Sequence, residues 1–182
     1  MRIILAAALA LIAAAAPASA QQPRAADAVS LAAGEEATIA FDDGERTSVT
    51  AHGRAAPLST YDRAALQNLT TGNIEDAVGP NSRPLSEREL LQSPPPITAG
   101  LVRIVFVPVS GGKETFLILE NGHTRALAYR ARIFRRGQGR PTDVCVVLPG
   151  IRGYEHWPYP IERIELTGFR LEAWNGGAPR CE

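Results

Sequence analysis

The spacing of apolar residues changes several times along the chain. Ile3 to Ala16 is an unbroken run of Ile, Leu and Ala that ends at Pro17. From Val29 the pattern becomes that of extended chain. Val29 to Ala33 predicts a short strand, and Ala37, Ile39 and Phe41 recur at period two within Glu36–Phe41. Asp42-Asp43-Gly44-Glu45 supplies an Asp-Gly turn, and Thr47–His52 reads as the returning strand of a hairpin. Between Gly53 and Gly100 the spacing becomes helical. Ser59-Thr60-Tyr61-Asp62 resembles a capping box, followed by Ala64, Ala65, Leu66 and Leu69. A second such box at Ser86–Glu89 opens a short helix with Leu90 and Leu91, which Ser93-Pro94-Pro95-Pro96 stops.

Beyond Gly100 the pattern is dense β. Leu101–Val109 and Thr115–Glu120 flank a Ser110-Gly111-Gly112 turn. After a turn at Asn121–Thr124, Ala126–Phe134 places Leu127, Tyr129, Ala131 and Ile133 on one face. Arg130 and Arg132 fall on the other. Arg135–Pro141 reads as a polar loop and Asp143–Leu148 as a short strand. In the last strand, Ile161–Glu172, Ile164 and Leu166 share one phase, while Phe169 and Leu171 have the opposite one. A bulge at Thr167-Gly168 brings all four to the same face, because one extra residue reverses the alternation. Short strands joined by Gly/Asn turns, without strand–helix alternation, predict a mainly β chain. The expected architecture is an antiparallel sandwich with a short helical or irregular insert over residues 54–99.

The leading apolar run acquires a meaning from its flanks. Met1-Arg2 is positive, and Ala18-Ser19-Ala20 presents small residues where a signal peptidase cuts. Residues 1–20 therefore read as a secretory signal peptide, 21–28 as a tail, and 29–182 as one domain. The run is shorter than the roughly 20 apolar residues a spanning helix requires, so no integral span is expected after cleavage. The expected localisation is periplasmic or secreted. Nineteen basic residues balance nineteen acidic ones, and Arg2 leaves with the leader, so nothing in the overall charge favours nucleic acid. Lys113 is the only lysine. Two cysteines in an oxidising compartment predict a Cys145–Cys181 disulfide, which would tie the C-terminal tail to the strand holding Cys145.

Phe116–Asn121, the turn, and Ala126–Ala131 together resemble the central hairpin of immunoglobulin-like modules in bacterial envelope proteins. The likeness spans about a third of the chain and implies an immunoglobulin-like sandwich. The antibody Cys–Trp–Cys spacing is absent, with Trp157 expected on a loop.

Candidate chemistry concentrates in Gly150–Pro160. Arg152, Tyr154, Glu155, His156, Trp157 and Tyr159 sit in one segment with prolines that lower the cost of ordering a loop. Aromatic faces there can stack on a sugar or on a partner's side chains, with Arg152 or Glu155 hydrogen-bonding the ligand. The alternative is a structural loop that plugs the end of the sandwich. The arginines from Arg125 to Arg140 form the one local charge bias. Arg130 and Arg132 are the expected partner face, toward anionic head groups or an acidic protein. No catalytic elbow, phosphate loop or metal-ligand spacing appears, so no catalytic residue, cofactor or metal is assigned. The reading is an exported non-enzymatic envelope protein, a binding or structural accessory module recognising another envelope protein or a cell-wall glycan. The competing reading is a secreted hydrolase using Glu155 and His156 as orienter and base.

Overall fold

The computed structural model describes residues 24–25, 28–43, 46–70, 93–177 and 179–181. The leader, the helix expected at 86–91 and the Gly44-Glu45 part of the first turn lie outside these residues. Among the described residues, ten strands form two antiparallel sheets. They are β1 (Arg24–Ala25), β2 (Ala28–Ala32), β3 (Glu35–Phe41), β4 (Thr47–Arg54), β5 (Leu101–Val109), β6 (Glu114–Asn121), β7 (Ala126–Arg135), β8 (Gln138–Thr142), β9 (Arg152–Trp157) and β10 (Arg163–Glu172). One sheet has the order β1-β4-β3-β5-β6-β9 and the other β2-β10-β7-β8. A helix, α1 (Thr60–Leu69), lies between β4 and β5 in the chain. No helix among the described residues is long and apolar enough to cross a membrane.

The two sheets close over a shared core. Ala37, Ile39, Val102, Ile104, Phe106, Leu117 and Leu119 of the first sheet meet Val29, Leu31, Leu127, Ile133, Ile164 and Leu166 of the second. The first sheet is apolar on its outer face too. There Val105, Val107, Val109, Phe116 and Ile118 form a second cluster with Leu66 of α1. This explains why β5 and β6 read as continuous apolar runs, since a strand covered on both faces has no solvent side to alternate with. Helix α1 starts as its capping box requires: Ser59 Oγ accepts the Asp62 backbone N–H at 3.0 Å.

The expected hairpins β3–β4 and β5–β6 form. So does the bulge in β10, where the register with β7 shifts between Thr167 and Arg170 and Gly168 adopts a φ of 61°. Ile164, Leu166, Phe169 and Leu171 are all buried as a result. The Cys145–Cys181 disulfide is also formed.

Four expectations are corrected. β6 and β7 are not a hairpin: the turn between them carries the chain from one sheet to the other. The buried Asn121 holds this crossing, with Nδ2 within 2.9–3.1 Å of the carbonyls of Arg125, Val147 and Leu148. Gly122 passes so close to the Thr98 carbonyl that any Cβ there would overlap it. The polar segment after β7 is not a loop, because residues 138–142 return as edge strand β8. Residues 143–148 make only isolated bridges, whereas residues 152–157, expected as loop, form edge strand β9 against β6.

Candidate functional site

The period-two geometry of β9 decides what its residues do. Arg152, Tyr154 and His156 lie opposite Glu120, Ile118 and Phe116, on the outer face beside α1. Glu155 and Trp157 project the other way, toward the inter-sheet core. The six residues of the 152–159 cluster are therefore divided among two faces of a sheet and the turn beyond it.

On the inner side, Trp157 belongs to the core and donates its indole N–H to Thr142 Oγ1 at 3.1 Å. Glu155 Oε1 accepts the Cys145 backbone N–H at 2.7 Å and the Tyr129 hydroxyl at 3.5 Å. Burial pushes the Glu155 carboxyl above its ordinary range, and nearby Asp143 adds to the shift, against the lowering effect of the two donors. Burial also raises the Tyr129 hydroxyl, with the Glu155 carboxylate reinforcing it.

The outer side holds an ionic network. Arg152 contacts Glu120 Oε1 through Nε at 3.2 Å and Nη2 at 3.1 Å, lies 3.5 Å from Asp62 Oδ1, and donates Nη1 to the Pro95 carbonyl at 2.9 Å. Arg103 joins Glu120 at 3.1 Å and Glu36 at 2.5 Å. Tyr154 donates its hydroxyl to Asp62 at 3.0 Å, and burial with the adjacent Asp62 carboxylate raises its pKa. The Arg152 side chain is only 5% exposed, with Asp62 at 6% and Glu120 at 9%. Charges this deep require partners, here one another together with the Pro95 carbonyl and the Tyr154 hydroxyl, so the network fastens α1 and the proline-rich segment 93–97 to the sheet. His156 stacks on Phe116 at 4.4 Å, with Nε2 2.7 Å from Glu114 Oε2. It lies across the sheet from Glu155, and the two carry different hydrogen-bond partners.

The sixth residue, Tyr159, sits with the arginines. The Arg135 guanidinium lies 4.2 Å from its ring centroid and that of Arg140 5.6 Å away, and Arg140 Nη2 is 3.0 Å from the phenolic oxygen. Arg130 and Arg132 stand on the outer face of β7, both exposed. Arg132 donates to the Gly139 carbonyl at 3.0 Å. Glu162, beside the hairpin tip, accepts the backbone N–H groups of Arg136 (2.7 Å) and Gly137 (3.4 Å). Glu165 pairs with Arg163. Among the described residues, Arg130, Arg132, Arg135, Arg136 and Arg140 therefore make no ion pair. Arg46, Arg103, Arg152, Arg163, Arg170 and Arg180 each do.

Two hollows adjoin this group and share Arg140. One, of about 400 Å³, is lined by Ile133, Arg135, Arg136, Gln138, Gly139 and Arg140. The other, of about 490 Å³, is lined by Arg140, Pro141, Thr142, Asp143 and Tyr159. Sequence reasoning placed Tyr159 in the Gly150–Pro160 loop rather than with these arginines. The pairing of β8 with β7 makes the association, and it depends on which segments pair, not on local composition. The carboxylates Asp62, Glu120 and Glu36 were missed altogether, since they come from three distant segments with no shared motif. The chain matches no family model, no curated protein and no solved structure.

Proposed function

We propose that this chain is an exported, non-enzymatic module of a bacterial envelope that recognises another envelope component, protein or glycan, through the arginine-rich β7–β8 hairpin. One observation carries the reading: five arginines lie on that hairpin without ion pairs among the described residues, Arg130 and Arg132 on its outer face and Arg135 and Arg140 on the other beside Tyr159, while six of the remaining arginines are paired. A guanidinium left without a carboxylate keeps its fork of N–H donors for an outside acceptor. The signal-like leader supports export, and the disulfide accords with an oxidising compartment. Two antiparallel sheets, with the chain crossing between them, support an immunoglobulin-like reading of the sandwich.

The test is co-sedimentation of the chain beginning at Gln21 with purified sacculi and with outer-membrane vesicles. Wild type is compared with the fourfold variant Arg130→Gln, Arg132→Gln, Arg135→Gln, Arg140→Gln. The expected result is binding by the wild type, about tenfold or more weaker in the variant and weakened by salt. The melting temperature should stay nearly unchanged, because these side chains lie outside the core. Equal binding by the two proteins would remove the hairpin arginines from consideration.

A further inference from the structure

We infer that the paired hollows around Arg140 form a binding site for a phosphorylated sugar, with the phosphate among Arg135, Arg136 and Arg140 and the sugar ring against Tyr159. This rests on the proposed role of the β7–β8 hairpin and specifies its ligand.

The first hollow has the chemistry of a phosphate site. Three of its six lining residues are arginines, and Gln138 adds an amide. None of the three guanidiniums meets a carboxylate among the described residues, so an arriving dianion displaces no internal anion. Guanidinium forks match phosphate oxygens two at a time, and charge-assisted bonds of this kind are stronger than neutral ones. Tyr159 also holds two of the forks in place. Arg135 and Arg140 both lie against its ring, which restricts long side chains that would otherwise lose rotamer freedom on binding.

The second hollow argues for more than a bare anion. It holds Tyr159, Pro141, Thr142 and Asp143 beside Arg140. A carboxylate here disfavours a second phosphate by like-charge repulsion but accepts hydrogen bonds from hydroxyl groups. Tyr159 lines this hollow, and Thr142, whose Oγ1 accepts the Trp157 indole N–H, keeps its own O–H to donate. A ligand that spans both hollows therefore carries a phosphate at one end and an uncharged, hydroxyl-rich ring at the other. A glycolipid head group and a soluble or wall-borne phosphosugar both have this chemistry.

Isothermal titration with glucose 1-phosphate, inorganic phosphate and glucose tests the assignment on the chain from Gln21. Glucose 1-phosphate should bind about tenfold or more tightly than either fragment. Arg135→Gln should weaken it about tenfold, and Asp143→Asn should weaken glucose 1-phosphate while leaving inorganic phosphate unaffected or improved. Thermal melts of both variants establish that they are folded. Flotation with phosphatidylcholine vesicles bearing a phosphorylated diglucosamine lipid separates the sources. Capture that free glucose 1-phosphate reverses identifies a lipid head group, whereas titration binding without capture identifies a soluble or wall-borne sugar. If glucose 1-phosphate does not bind, or binds no better than phosphate, or binds Arg135→Gln equally, the assignment fails. If co-sedimentation with sacculi or vesicles still depends on the hairpin arginines in that case, the broader role survives and the ligand has another chemistry.

Discussion

Glu155 shows how one carboxyl can be both a fastening and a burden. It anchors the backbone at Cys145, yet its burial raises its pKa from the ordinary 4.5. The folded chain thus holds this proton to a higher pH than the unfolded chain does. The sign follows: the group contributes stability under acid conditions, and that contribution is lost as pH rises from about 4.5 through the folded-state pKa. Gln imitates the protonated acid and keeps a carbonyl oxygen for the Cys145 N–H. The stability of Glu155→Gln relative to wild type should therefore rise with pH, read from thermal melts between acid and neutral conditions. A constant difference across that range would mean that Glu155 titrates normally. The alternation that turns Glu155 and Trp157 inward and Arg152, Tyr154 and His156 outward was not legible in the sequence. The flanking glycines and prolines, together with polar residues on both faces, disguised it as a loop.

At the scale of elements, α1 has little apolar surface of its own and depends on charge for its seat. Arg152 is the hub, touching Glu120, Asp62 and the Pro95 carbonyl. Replacing it by Met leaves the buried Asp62 without its cation and Glu120 with Arg103 alone, and removing one partner of a buried pair typically costs about 3–5 kcal/mol. The loss should be local first. Amide exchange across α1 is expected to accelerate well before that of β5 and β6, and the double variant Arg152→Met, Glu120→Leu should be less destabilised than the sum of the two single ones. Unchanged exchange in α1 would show that the apolar contact of Leu66 suffices. The helix itself was legible from its cap and spacing, and the β10 bulge from the phase reversal between Leu166 and Phe169. The network was not, because Asp62, Glu120 and Arg152 become neighbours only when three elements converge. Edge strand β8 was hidden for a related reason: one exposed side and a Pro at position 141 give an edge strand the composition of a loop.

For the whole molecule, the sandwich class was legible because its signals are repeated in every strand. Which strands pair was not. Asn-Gly chemistry after β6 fits a tight hairpin as well as a crossing, and only the second sheet's need for β7 decides between them. The disulfide acts on this same scale. It joins positions 36 residues apart, and the Val146 N–H also bonds the Arg180 carbonyl at 2.8 Å, so the tail is held by covalent and backbone links together. Loss of the bond in Cys145→Ser, Cys181→Ser should lower unfolding stability by roughly 3–4 kcal/mol, measured by denaturant titration. A negligible change would place the tail outside the cooperative unit.

The pairing of β2 with β10 has a consequence in time. Ser30 and Arg163 meet across 133 positions of sequence, and among the described residues β10 is the only neighbour β2 has in its sheet. During synthesis, Val29 and Leu31 therefore wait uncovered while nearly all the other strands are made. β10 must then slot between β2 and β7, closing two ladders at once. Such distant pairing makes folding slow, since the entropy of a long loop is lost before any contact compensates for it. A chain built this way stays unfolded for longer after synthesis and is exposed to aggregation until its last strand arrives.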